Sequence, residues 1–193
     1  MTSPQPERRH RLTPTASQTV GPFFHFAMGT DPALGTLVAE GTKGERIRLV
    51  VRVFDGDAEP ISDALIEIYQ ADADGHYPVD RAAHAGFSGF GRLATDIDGT
   101  CAFETIRPGL VEDEAGRAQA RHINVCLFAR GLLHELYTRI YFEGDPGLAG
   151  DPLLGCVPED RRRTLIASPD AATGTWRFDI HLQGEHETVF FAP

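Results

Sequence analysis

A two-residue period governs this chain. Apolar Ile47, Leu49, Val51 and Val53 alternate with Arg46, Arg48 and Arg52. Successive side chains of a strand point to opposite faces, so this spacing predicts a strand from Arg46 with one face in a core and one in water. Asp55-Gly56 ends it with turn-forming residues. The theme repeats from Ala64 to Gln70, where Leu65, Ile66, Ile68 and Tyr69 are followed by Asp74-Gly75. Arg92 to Asp96 and Thr100 to Ile106 flank Asp98-Gly99, a dipeptide that accepts positive φ and predicts a hairpin. His122 to Ala129, Leu136 to Phe142, Thr175 to Gln183 and Thr188 to Phe191 read as further strands. No window sustains a 3.6-residue apolar period, although Asp151 to Leu165 has room for a short helix. With 20 glycines and 13 prolines punctuating short strands, the expected fold is all-β, an antiparallel β-sandwich. Its long loops, Ala71 to Gly91 and Pro108 to Arg121, are where a site on such a scaffold would sit.

The 193 residues suit one domain, since a chain of this size buries roughly 70% of its unfolded surface. Residues 15–193 are expected to form it. Residues 1–14 read as an extended arm, because Pro4, Pro6 and Pro14 with Arg8, Arg9, His10 and Arg11 offer nothing to pack. That arm has no apolar run, so it is expected to be neither signal peptide nor membrane anchor. Apolar stretches such as Leu49-Val50-Val51 are too short to span a bilayer, and a soluble cytoplasmic protein with no membrane partner is expected. The formal charge of −10 argues against a nucleic-acid partner. An anionic ligand would need a local cation to overcome that field. Cys101, Cys126 and Cys156 fall singly and are expected as buried free thiols. Arg161-Arg162-Arg163 reads as a solvated or ion-pairing patch.

Four phrases carry chemistry: Tyr69-Gln70-Ala71-Asp72-Ala73-Asp74-Gly75-His76-Tyr77, Gly91-Arg92-Leu93-Ala94-Thr95-Asp96, Ile106-Arg107-Pro108-Gly109 and His122-Ile123-Asn124-Val125. An isolated tyrosine after a turn, or a lone strand histidine, is ordinarily just a satisfied side chain. The flanking phrases set Tyr77 and His122 apart, because they resemble the intradiol ring-cleaving dioxygenases. In that family two tyrosines and two histidines hold Fe(III), a hard cation suited to phenolate and imidazole donors. By that resemblance Tyr77 and His122 match two ligand positions, while the second tyrosine falls at Val111 and the second histidine at Asn124. No tyrosine lies between Tyr77 and Tyr137, and no two of the eight histidines are two residues apart. Valine offers no lone pair, and a neutral amide is a weak ligand for Fe(III). The chain is therefore expected to hold no metal, with Tyr77, Val111, His122 and Asn124 as vestigial ligand positions.

The family includes an enzyme of two related, unequal chains, one keeping the iron set and the other lacking it. Three more phrases resemble the iron-free chain: Thr15-Ala16-Ser17-Gln18-Thr19-Val20-Gly21-Pro22-Phe23-Phe24, Phe128-Ala129-Arg130-Gly131 and Gln183-Gly184-Glu185-His186-Glu187-Thr188-Val189-Phe190-Phe191. The resemblance runs from Pro14 almost to the end. It implies a homologous β subunit holding Fe(III), a carboxylated catechol and O2 as substrates, and no complete catalytic set in this chain. It also places Thr19, Gly21 and Pro22 along the partner's pocket, with Arg130 balancing the substrate carboxylate. A guanidinium suits a planar carboxylate and would be the local cation that the global charge requires. A self-sufficient dioxygenase is disfavoured by the missing ligands. A β-sandwich carrier without chemistry is disfavoured by the Thr19 to Phe24 and Phe128 to Gly131 phrases.

Overall fold

A computed structural model describes residues 13–192 apart from Pro22, residues 79–85 and Ala171. The arm over residues 1–14 thus lies almost wholly outside the described residues, as does Pro22. The alternating segments form β1 (Arg46–Phe54), β2 (Leu65–Tyr69), β3 (Phe90–Ala94), β4 (Thr100–Ile106), β7 (His122–Phe128), β8 (Leu136–Phe142) and β10 (Thr175–His181). Two short pieces, β5 (Val111–Glu112) and β6 (Ala118–Gln119), pair with each other inside the second long loop. A strand that the alternation does not announce, β9 (Ile166–Asp170), completes the set. The α-helix is one turn, Phe24–Met28. Among the described residues no helix is long and apolar enough to cross a membrane.

The fold is all-β, but its pairing is mixed rather than antiparallel. Eight strands join in one order, β3-β2-β7-β8-β9-β10-β1-β4, in place of two separate sheets. β10 lies parallel to β1, and β8 parallel to β9, because long crossovers deliver those strands from the same end. β9 links the two halves: Ile166 and Ala167 pair with β8, while Ser168, Pro169 and Asp170 pair with β10. Ile47, Leu49, Val51, Phe103 and Phe178 from one half share a core with Ile66, Ile68, Ile123, Val125 and Ile140 from the other. The faces predicted by alternation are the ones buried.

Four other expectations are met only in part. The Asp98-Gly99 turn forms, with Gly99 N–H donating to Asp96 O at 3.0 Å, but β3 and β4 do not make a hairpin. The turn docks on β1, where Val53 N–H donates to Gly99 O at 2.9 Å, and so draws β4 into the β1 ladder. Thr95 instead anchors the end of β3 beside β2, accepting from Ala64 N–H at 3.0 Å and donating to Ile61 O at 2.7 Å. The Thr188–Phe191 segment makes a single bridge to Tyr137 rather than a strand. Asp151 to Leu165 holds helix of the 3-10 type, in two segments, Leu154–Cys156 and Glu159–Leu165. Of the cysteines only Cys101 is buried; Cys126 is partly covered, and Cys156 sits exposed on its 3-10 turn.

Two loops meet backbone to backbone, and this meeting positions the rest. A Cβ on Gly109 would stand 2.4 Å from Gly75 N and 2.5 Å from Ala73 O. Gly109 N–H donates to Asp72 O at 2.8 Å. Beside it, buried Gln70 donates to Ile106 O at 2.9 Å and accepts from Thr105 Oγ1 at 2.7 Å. Gly109→Ala is expected to cost on the order of 3 kcal/mol through overpacking. Gly116→Ala, whose site is open although its φ is +73°, is expected to cost about 1 kcal/mol of backbone strain alone. Urea unfolding midpoints measure both, and equal losses would contradict the close approach at Gly109.

Candidate functional site

The Asp72 to Tyr77 loop is rigid for local reasons. The Asp72 carboxylate accepts from Asp74 N–H at 3.0 Å and His76 N–H at 2.9 Å, an Asx turn that fixes the loop before Tyr77 leaves it. Tyr77 then stacks on Tyr69, with centroids 5.0 Å apart, and its hydroxyl reaches the first residues of β7. There His122 and Asn124, two residues apart, share a face. Tyr77 Oη lies 3.3 Å from His122 Nε2 and accepts from Asn124 Nδ2 at 2.9 Å. Tyr77, His122 and Asn124 are thus brought together. Val111, the fourth position singled out in the sequence, lies on β5 opposite Gln119.

The hydrogen-bond directions follow from the carbonyl that His122 faces. Ala120 O can only accept, so His122 Nδ1 donates to it at 2.8 Å and Nε2 of the neutral ring accepts from Tyr77. Asn124 Oδ1 accepts from Arg139 Nε at 3.1 Å, which leaves its NH2 for Tyr77. Arg139 also donates through Nη1 to Gln119 Oε1 at 2.6 Å. Behind the ring, buried Asp151 accepts from Tyr141 Oη at 3.0 Å, Ala120 N–H at 2.8 Å and Leu154 N–H at 2.7 Å. Arg139, Gln119 and Asp151 escaped the sequence reading. Arg139 and Gln119 become visible only through strand register, opposite Asn124 and Val111, and Asp151 only through its bonds to Ala120 and Tyr141.

Burial favours the neutral forms of Tyr77 and His122. Burial raises the Tyr77 phenol above its ordinary value, against a smaller lowering by its bond from Asn124. Burial, and then the Arg139 charge, lower His122 to about 4. A trivalent ion would displace the Tyr77 proton and free His122 Nε2, but Asn124 presents its NH2 and Val111 has no lone pair, so two protein ligands would remain. It would also sit beside a guanidinium. These residues do not fit Fe(III).

The second set of residues lies at the other end of β7, about 25 Å along the strand from His122 at 3.3 Å per residue. Thr19 Oγ1 accepts from Gly131 N–H at 2.7 Å, fastening the amino-terminal segment beside Arg130. Gly21 O accepts from Phe24 N–H at 3.0 Å and starts the helical turn. Arg130 Nε pairs with Asp63, yet its side chain stays 65% exposed. Phe24 packs on Phe128, while Phe23 (79%), Phe26 (62%) and Leu133 (59%) remain largely exposed around them. The Arg161–Arg163 run is neither loose nor acid-paired throughout: Arg161 donates to Glu187 O and Arg162 to Val157 O, capping backbone carbonyls.

The neutral His122 makes stability pH-dependent. Its folded value of about 4 lies below the ordinary 6.5, so the unfolded chain takes up the proton first as the pH falls. The His122 contribution is complete above pH 6.5 and is lost towards pH 4. At ~1.4 kcal/mol per pH unit it is on the order of 3 kcal/mol. Unfolding free energies measured across this window should show a slope that His122→Gln removes. An unchanged slope would contradict the buried neutral ring.

A family model described as dioxygenase matches residues 20–184. The chain is 41% identical to the protocatechuate 3,4-dioxygenase alpha chain of Burkholderia cepacia, over 93% of its own length and 98% of that chain's. It is 35% identical to the protocatechuate 3,4-dioxygenase beta chain of the same organism, over 75% of its own length and 67% of that chain's. Among solved structures, it matches the dioxygenase domain of a carbohydrate-binding fusion protein from Streptomyces sp. SirexAA-E. That match has a TM-score of 0.62 and 29% identity, and covers 89% of this chain and 99% of that one. With this match along most of its length and its strands in the corresponding fold, the chain belongs to the intradiol dioxygenase family.

Proposed function

We propose that this chain is the iron-free α-type subunit of a protocatechuate 3,4-dioxygenase, working with a related β-type chain that holds Fe(III). The reaction opens protocatechuate between its hydroxyl-bearing carbons and places both atoms of O2 in the product, 3-carboxy-cis,cis-muconate. The observation that carries this reading is the donor set of the centre: a protonated phenol, a neutral imidazole and an amide presenting its NH2, all paired with one another. The near-full-length similarity to the Burkholderia cepacia alpha chain supports it. The three free thiols suit a reducing compartment, consistent with action in the cytoplasm.

In this reading the chain's contribution to the shared pocket comes from the other end of β7. Thr19 and Gly21 form part of the wall, together with Pro22. Arg130 supplies the cation. Asp63 pairs with that guanidinium through Nε while the side chain stays 65% exposed. An exposed guanidinium is the side chain best matched to a planar carboxylate. The exposed Phe23, Phe26 and Leu133 nearby provide the apolar surface that a permanent subunit interface needs.

Co-production with a related chain carrying two tyrosines and a His-x-His phrase should yield a complex with ring-cleavage activity and one iron per pair. This chain alone should be colourless and inactive. Full activity without the related chain would overturn the reading. In the complex, Arg130→Ala should raise the Michaelis constant for protocatechuate roughly ten- to hundredfold, the value of a charge-assisted contact of about 1.5–3 kcal/mol. Plain catechol, which lacks the carboxylate, should be little affected. Equal losses for both substrates would remove Arg130 from carboxylate recognition.

A further inference from the structure

The centre keeps the spacing of a metal site. Tyr77 Oη stands 3.3 Å from His122 Nε2 and 2.9 Å from Asn124 Nδ2. Two ligand atoms each about 2.1 Å from one ion, at roughly a right angle, stand about 3 Å apart. The corner of a coordination sphere has therefore survived, and its charge comes from elsewhere. Arg139 reaches both altered positions at once: Nε to Asn124 Oδ1, and Nη1 to Gln119, the register partner of Val111. It also sets the Asn124 amide. By taking the carbonyl oxygen, it turns the NH2 inward, so that the centre meets donors where a metal would need lone pairs.

We infer that Arg139 is the fixed cation that has replaced the metal ion, joining Asn124 to the Val111-bearing hairpin and barring any other cation from the Tyr77–His122 corner. This rests on the reading that the chain holds no iron. A guanidinium is charged at every accessible pH. Unlike the loss of a ligand, it is a barrier that restoring a ligand does not lift. Reverting Asn124 to histidine should then be insufficient while the charge stays at position 139.

The test uses the full-length chain and four variants: Asn124→His alone, and Asn124→His combined with Arg139→Lys, Arg139→Gln or Arg139→Met. Each is loaded with ferrous ion, oxidised in air and freed of loose metal. Bound iron and visible phenolate-to-iron absorption are then read, with circular dichroism reporting the fold. The native chain, Asn124→His and the Lys combination should hold little iron. The Gln or Met combination should hold at least tenfold more and be coloured. Arg139→Met keeps a long packing stem, so at least one neutral variant retains the fold. Equal loading of Asn124→His and the neutral combinations would overturn the inference, as would a folded neutral combination that takes no iron. Loading equal to the neutral form in the Lys combination would also overturn it, because shape rather than charge would then be the barrier. Iron in the native chain would instead defeat the reading beneath it.

Discussion

The close passage of two backbones at Gly75 and Gly109 is the constraint from which the site follows. Neither position has room for a side chain: a Cβ on Gly75 would lie 1.9 Å from Leu110 O, and one on Gly109 would lie 2.4 Å from Gly75 N. Gln70 clamps the same junction from inside the core by bonding Ile106 O and Thr105. The loop ending in Tyr77 is thereby held against the loop that leads into the β5–β6 hairpin. Tyr77 can then point only towards the start of β7. On the proposed reading, the frame that presents a ligand tyrosine in the family is kept here by a chain that holds no metal.

What has changed is the way charge is balanced. A phenolate-rich metal centre pairs anionic oxygens with a trivalent ion. Here the phenol keeps its proton, the imidazole is neutral, and one guanidinium supplies the positive charge. Tyr77, His122 and Asn124 are hydrogen-bonded to one another, to Arg139 and to nearby backbone carbonyls, which offsets the cost of burying them. Asp151, buried under three hydrogen bonds, holds Ala120 and Tyr141 on the far side of the His122 ring. The result is a polar cross-link between β7, β8 and the loop region, rather than an empty cavity.

The sequence reveals some of this and conceals the rest for identifiable reasons. Alternation in β1 is a local property and predicts its buried face correctly. The Asp98-Gly99 turn is equally local, but strand partners are not: β4 leaves β3 because Val53 bonds Gly99 O, a contact between residues 46 positions apart. β9 contains Pro169 and lacks alternation, so it is invisible until β8 and β10 frame it. At the centre, Tyr77, His122 and Asn124 are legible because recognisable phrases surround them. Arg139 is one arginine in a strand, and only the β7–β8 register brings it to Asn124. Likewise nothing beside Arg130 in sequence announces Asp63 as its partner.

The division of labour between the two related chains is tested most directly by where the iron lies in their complex. Anomalous diffraction at the iron edge, from crystals of the co-produced complex, locates every iron atom without reliance on activity. The account predicts one peak per pair, within the related chain, and no peak in the corner formed by Tyr77, His122 and Asn124. A second peak of comparable height in that corner would contradict it.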